Sequence, residues 1–400
     1  MKIKKQNFRK MLGNTMLLSL CLSLANCKKE PTIAPQNNDS LTEAKLTTSA
    51  NSLALTPPAL SSTAYALEKS LPAGYVKNGT VDYTAYVQSA IKKYSQIVFP
   101  AFPIMINTNG LTIPSNRKIW FKAGSVIKLK PTSLGDYRMI KIADASNVIL
   151  VNPVIVGDRA NHLGTSGEGG HGLAITGSDS VTIYSPKISQ TWGDGIYIGA
   201  TVSHPVSTNI TIDKADITKA SRNGISLING ENVKILSPII KDTDRTNPMA
   251  GIDIEPNGPS DELKNILIDN PKTYRSGWSG IQAVVYKFYT GTPEQSKKIS
   301  ITVNNHTDEG SKIQGAWLAT DKGAVVAGGA TVSGNITFIN PSWKNNKDII
   351  KAWRLNDPMV TLTLDNPTVV DTAGLTYNRS QLQYLFSKKI GPCTKNIIYR

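Results

Sequence analysis

His171-Gly-Leu-Ala-Ile-Thr176, Asp194-Gly-Ile-Tyr-Ile-Gly199, Asn223-Gly-Ile-Ser-Leu-Ile228, Ala250-Gly-Ile-Asp-Ile-Glu255 and Ser279-Gly-Ile-Gln-Ala-Val284 are five versions of one phrase. Their glycines, at 172, 195, 224, 251 and 280, stand 23, 29, 27 and 29 residues apart. Self-similarity at such a period is the mark of a solenoid. A second phrase runs between the copies, an Asn or Ser followed by alternating apolar residues. It begins at Asn147, Ser180, Asn209, Asn232, Asn265 and Asn335. Period-two alternation punctuated by Gly, Asn, Asp and Pro gives two or three short strands per repeat and no helix. The expectation is an all-β, right-handed, single-stranded parallel β-helix, with matching residues stacked at about 4.8 Å per coil.

With each glycine as a ruler, the residues one and three places on are almost all Ile, Leu or Ala and belong inside. The residues two places on point outward: Ala174, Tyr197, Ser226, Asp253 and Gln282. Four places on stand Thr176, Gly199, Ile228, Glu255 and Val284. Polar groups thus accumulate on one face of the central coils. The stretch from Asp82 to Tyr94 instead reads as an amphipathic helix, with Asp82 as N-cap and Val87, Ala90, Ile91 and Tyr94 as its apolar face. Such a helix is suited to cap the open first coil.

The first residues point to export. Five basic residues among the first ten precede an apolar run from Met11 to Ala25, which is too short to span a bilayer. Leu24-Ala-Asn-Cys27 resembles a bacterial lipobox, making Cys27 the lipidated first residue of a mature protein, although Asn26 departs from the usual small residue. The expected division is a signal peptide at 1–26, a flexible tether at 27–60 and a β-helix domain with its cap at 61–400. The protein is read as an exported bacterial lipoprotein of the outer membrane or cell surface. With Cys21 and Cys27 so used, only Cys393 remains and no internal disulfide is expected.

The formal charge is +15; without residues 1–26, which hold five basic and no acidic residues, 39 basic face 29 acidic ones, leaving +10. That excess fits an anionic partner. Export and the lack of a basic, aromatic-interleaved reader motif argue against nucleic acid. An acidic polysaccharide is the expected partner, with a merely solvated basic surface as the plainer reading.

The chain resembles the pectin-lyase-like right-handed β-helix superfamily, near the rhamnogalacturonase and epimerase-like pectate lyase group. The resemblance spans roughly residues 70–375. It rests on the helix followed by Val98-Phe-Pro100, on Gly157-Asp-Arg159, Gly167-Glu-Gly-Gly-His-Gly172 and Trp192-Gly-Asp-Gly-Ile-Tyr-Ile-Gly199, and on Arg222-Asn-Gly-Ile-Ser226 and Gly251-Ile-Asp-Ile-Glu-Pro-Asn257. Members of that superfamily include lyases, hydrolases, alginate-modifying enzymes, phage tailspikes and noncatalytic proteins, so the resemblance implies the fold and not the reaction. Polygalacturonases carry an Asn-Thr-Asp-Gly phrase, a paired Asp and a later Gly-His-Gly. Here Trp192-Gly-Asp-Gly195 matches the first in part, the Asp pair is absent, and Gly170-His-Gly172 comes before the Asp phrase.

Asp253 and Glu255 lie two apart on one strand, about 6.6 Å apart along the backbone. Such a pair suits acid and base around a water in a glycosidase, or chelation of Ca2+. Asp194, about 10 Å along the axis, completes the candidate catalytic set. Candidate substrate-binding residues are Asp158, Arg159, His162, Glu168, His171, Trp192, Tyr197, Arg222, Arg245 and Trp278. The arginines suit a glycan carboxylate; the aromatic rings suit sugar stacking or, equally, core packing. His171 needs a neighbouring carboxylate to act as acid or base. Hydrolysis, which requires no cofactor, is the first expectation. Its competitors are β-elimination from a uronic-acid polymer, with Arg222 or Arg245 as base and Ca2+ as a possible helper, and noncatalytic glycan binding.

Overall fold

The protein was analysed as a computed structural model, which describes residues 55–320, 329–348, 359–389 and 397–399. The expected signal peptide, most of the expected tether, Cys27 and Cys393 lie outside the described residues. From residue 55 onward the chain winds into a right-handed parallel β-helix of about nine turns. Among the described residues its three faces are a 12-stranded sheet A, an 11-stranded sheet B and an 8-stranded sheet C. Each coil visits C, then A, then B; in one coil these are Gly169–Thr176, Asp179–Tyr184 and Lys187–Ser189.

The glycine ruler holds. Ile140, Leu173, Ile196, Ile225, Ile252, Ile281 and Ala316 pair in register along sheet C, and all are buried. Sheet A supplies a second inward column, Ile183, Ile212, Ile235 and Ile268, continued by Val303, Phe338 and Leu364. Each fully buried isoleucine contributes about 1.5–3 kcal/mol of transfer free energy. The ruler glycines are also required by space. A Cβ on Gly224 would stand 2.3 Å from the Ile240 side chain and 2.6 Å from the Gly251 carbonyl oxygen.

The second phrase marks a corner. Asn116, Asn147, Ser180, Asn209, Asn232 and Asn265 take left-handed backbone, φ between 53° and 59°, at the entrance to sheet A. Short polar side chains tolerate that conformation, and here they also bond along the stack, as Asn265 Nδ2 does to Asn232 Oδ1 at 2.6 Å. Asn335 does not follow the pattern, because Gly334 takes the positive φ there.

The inward column of sheet B changes character along its length. Ile155, Ile188, Ile217 and Ile240 stack in register, and the next positions are Thr273, Asp308 and Trp343. These polar groups, with His306, are fully bonded inside the solenoid. Asp308 Oδ1 accepts from Thr273 Oγ1 and Ser311 Oγ, both at 2.6 Å, and Oδ2 accepts from Asn346 Nδ2 at 2.7 Å. Trp343 Nε1 donates to His306 Nδ1 at 3.0 Å, which leaves the His306 proton on Nε2, 2.8 Å from Thr273 Oγ1. Burial pushes the Asp308 carboxyl up to about 7 and the His306 imidazole down to about 3.

The capping helix spans Thr84–Lys93, with Val87, Ala90 and Ile91 buried against the first coil. Asp82 lies one residue further out than an N-cap, yet its Oδ1 still accepts the Thr84 N–H at 2.9 Å. Tyr94 follows the helix and stacks on Tyr65 at 3.6 Å. Trp120 Nε1 donates to the Pro58 carbonyl at 3.0 Å, so the chain is already docked on sheet A at that residue. A second helix, Arg379–Lys389, interrupts the expected run of strands near the other end. It begins with a reciprocal capping box between Asn378 and Gln381, each side chain accepting the other's backbone N–H at 2.9 Å.

Candidate functional site on sheet C

The outward column runs Lys141, Ala174, Tyr197, Ser226, Asp253, Gln282 and Trp317 in register. Beside it, just before the ruler glycines, lie His171, Asp194 and Asn223. Asp194 is the hub of this second row. Arg222 Nη1 donates to its two oxygens at 3.2 and 3.1 Å, and the Asn223 backbone N–H donates to Oδ1 at 3.0 Å. The Asp194 backbone N–H donates to His171 Nδ1 at 3.0 Å. With that lone pair occupied, and with burial pushing the imidazole down to about 4, His171 is neutral and carries its proton on Nε2. The 3.5 Å approach of Nδ1 to Asp194 Oδ2 is therefore a contact and not an ion pair.

Asp253 corrects a sequence expectation. It faces outward from the strand but is 0% exposed, as is Asp194, so neither carboxyl reaches solvent. Both of its oxygens are engaged, Oδ2 by Asn223 Nδ2 at 2.8 Å and Oδ1 by Gln282 Nε2 at 2.7 Å. Burial, reinforced by the neighbouring Glu255 charge, raises it to about 7. Glu255 is half-buried, and burial raises its pKa too, against the opposing pull of Arg222 and Lys287. The carboxyls here that meet solvent are thus Glu255 and the exposed Glu168, whose Oε2 lies 3.4 Å from Arg222 Nε. Tyr197 stacks on His171 with ring centroids 4.9 Å apart, and its phenol is pushed up by burial and by Asp194. Calcium does not suit this donor set, because the Asp194 and Asp253 oxygens already accept from N–H groups.

The remaining candidates gather at the corner between sheets B and C. Asp158 is buried and accepts from Tyr137 Oη at 2.6 Å and from the Thr132 N–H at 3.0 Å, while His162 Nδ1 lies 2.8 Å from it. Asp158 and His162 therefore anchor the segment through the Arg159–Asn161 turn and do not present themselves to a ligand. Trp192 is likewise no sugar platform: it is 5% exposed, stacked on His162 at 3.8 Å and contacted by the Arg245 guanidinium at 4.9 Å. Arg159 forms an ion pair with Asp244 and donates to the Ala220 carbonyl. Trp278 meets Trp317 edge-on at 6.0 Å, further along sheet C. Sequence reasoning placed Gln282 in the outward column and Asn223 in the repeat without giving either a role in the site, and it did not single out Asp261. Asp261 accepts from Asn229 Nδ2 and from the backbone N–H groups of Asn257 and Gly258, and so fixes the loop that follows Glu255.

No protein-family model matches the chain. It is 26% identical over 232 residues to the uncharacterized protein YclG of Bacillus subtilis strain 168, a match covering 49% of this chain and 40% of the relative. It is 29% identical over 162 residues to the SPbeta prophage-derived uncharacterized protein YorA of the same organism, covering 36% of this chain and 28% of the relative. The matches thus span less than half of either relative. Among solved structures, the A-module of the Azotobacter vinelandii mannuronan C-5 epimerase AlgE4 superposes with a TM-score of 0.51 at 14% identity, over 78% of this chain and 89% of that one. The polygalacturonase of Erwinia carotovora gives 0.50 at 13% identity, over 80% and 96%. The tailspike gp49 of the Acinetobacter baumannii bacteriophage Fri1, a capsular polysaccharide depolymerase, gives 0.50 at 15%, over 85% and 62%. At these identities the likeness establishes the fold alone, a parallel β-helix.

Proposed function

We propose that this protein hydrolyses glycosidic bonds of a polysaccharide laid across sheet C, outside the cell and tethered through a lipid on Cys27. The observation that carries the reading is Glu255, a half-buried carboxyl whose pKa burial raises above its ordinary value and which has Arg222, itself 3.4 Å from Glu168, as a charged neighbour. A carboxyl shifted upward holds its proton to higher pH than an ordinary glutamate does, and as general acid gives it to the leaving glycosidic oxygen. Glu168, held 3.4 Å from Arg222 Nε, takes the proton of the attacking water. Asp194 and Asp253 act behind this pair as positioning residues, Asp194 by fixing Arg222 and Asp253 by fixing the Asn223 and Gln282 amides. Likeness in fold to a polygalacturonase and a capsular depolymerase is consistent with a polysaccharide substrate.

Elimination is less well served by the same groups. It needs a base with a free lone pair, and the His171 Nδ1 pair is taken by the Asp194 N–H. Tyr197 and Arg222 both have raised pKa values, Arg222 through its carboxylate neighbours, so neither gives up its proton readily. The test is a panel of acidic and neutral glycans followed by two signals, new reducing ends and absorbance of the unsaturated uronate that elimination alone makes. Reducing ends without absorbance are expected, with a loss of about 10²–10⁴ in rate for Glu255→Gln. Absorbance rising with the reducing ends overturns hydrolysis, and binding without cleavage across the panel overturns catalysis.

A further inference from the structure

The sheet C arginine nearest the candidate carboxyls is already engaged. Arg222 is committed to Asp194 and Glu168, with Asp253 and Glu255 as further electrostatic neighbours. A further source of discrimination in favour of an acidic glycan lies elsewhere on the molecule. At the B–C corner lies an open cleft of about 610 Å³ lined by Arg159, Gln190, Lys219, Asp242, Asp244 and Arg245, together with Ala160. Its two acids are already paired: Asp244 with Arg159, and Asp242 with Arg275, at 2.7 Å to Nε and 3.2 Å to Nη2. Lys219 and Arg245 are exposed, and among the described residues neither has an acidic partner within 4.0 Å. The cleft thus carries two uncompensated positive charges.

Arg245 is also held in place before any ligand arrives. Its guanidinium lies over the Trp192 ring at 4.9 Å, and its Nη1 donates to the Arg159 carbonyl at 3.4 Å. Its backbone sits at φ +142°, a region that costs a non-glycine residue free energy and persists only where the surroundings impose it. A planar fork fixed in this way matches the two oxygens of a carboxylate, and the neighbouring ammonium adds a second charge.

We propose that the Lys219–Arg245 cleft is an accessory subsite for a uronate carboxylate, which makes the substrate an acidic glycan bound over both sheet C and the B–C corner. The choice of a glycan, over other anions, rests on the hydrolase reading above. The test is calorimetric binding by the full chain carrying Glu255→Gln, so that turnover does not interfere. The probes are oligogalacturonates and oligomannuronates, each set against its methyl ester of equal length, which keeps the backbone and removes the charge.

At least one free acid should bind roughly tenfold or more tightly than its ester, since a hydrogen-bonded charge contact is worth about that factor. Lys219→Gln and Arg245→Gln should each remove most of this preference and leave ester binding and the melting transition unchanged. Arg245→Lys, which keeps the charge and loses the fork, should fall between. Equal binding of acid and ester in both pairs, or a preference that survives both glutamine substitutions, overturns the subsite. A wild-type protein that discriminates acid from ester yet cleaves nothing refutes the hydrolase reading and leaves the subsite standing.

Discussion

Replacing Asp253 with asparagine separates two consequences of burying a carboxyl, its hydrogen bonds and its charge. Both carboxyl oxygens accept from amides, and an asparagine side chain in their place keeps only one acceptor. The Gln282 amide can turn to meet the new side-chain N–H, because its own Oε1 is buried without a partner. The hydrogen-bond change is then about 1 kcal/mol and independent of pH. The charge effect is larger. The folded pKa, about 7, lies above the unfolded value, so the folded state holds the proton more tightly. The contribution of this group to stability is fully present below the unfolded pKa of about 3.9 and is lost as pH rises through about 7. Linkage gives a loss of roughly 1–2 kcal/mol at pH 5 and roughly 4 kcal/mol at pH 8. Asp253→Asn should therefore match the wild type in urea unfolding at pH 5 and exceed it by roughly 2–3 kcal/mol at pH 8. Parallel stability curves across that range would refute a neutral buried carboxyl at this position.

Ile252 is stacked between Ile225 and Ile281 and fully buried, so Ile252→Ala should cost about 2–5 kcal/mol in the same unfolding assay. A cost under about 1 kcal/mol would mean that the inward column is not packed as described. Cys27→Ser should move the protein from the membrane fraction to the soluble one and abolish incorporation of labelled fatty acid; unchanged labelling would remove the anchor from the proposal.

Much of the fold was legible because a parallel solenoid repeats its physics every coil. A glycine too crowded for a Cβ, an isoleucine on either side of an outward residue, and an asparagine at a left-handed corner recur at one spacing, and the registers follow. The capping helix was legible from its apolar stripe. The site was legible as a set of letters but not as an accessible surface. Asp253 points outward as alternation requires, yet Asn223 and Gln282 close over it, and no periodicity reports which outward residues are covered. Trp192 illustrates the same limit, since the residues that occupy its ring, His162 and Arg245, are 30 and 53 positions away in the chain. The second helix left a local sign, Asn378-x-x-Gln381, that the glycine and asparagine repeats do not reach.

A ladder of identical rungs has a weakness: any rung fits any other. The isoleucines of one coil would pack equally well one pitch up or down, so hydrophobic burial alone does not forbid a skipped coil. Asp308 removes that freedom. It takes one donor from the preceding coil, Thr273, one from its own, Ser311, and one from the next, Asn346. Slipped by a single coil, it would face Ile240, and a buried carboxyl short of its donors costs several kcal/mol. The polar interior at this height thus behaves as a notched tooth in a stretch of smooth rack, and it indexes the winding of the coils stacked on either side.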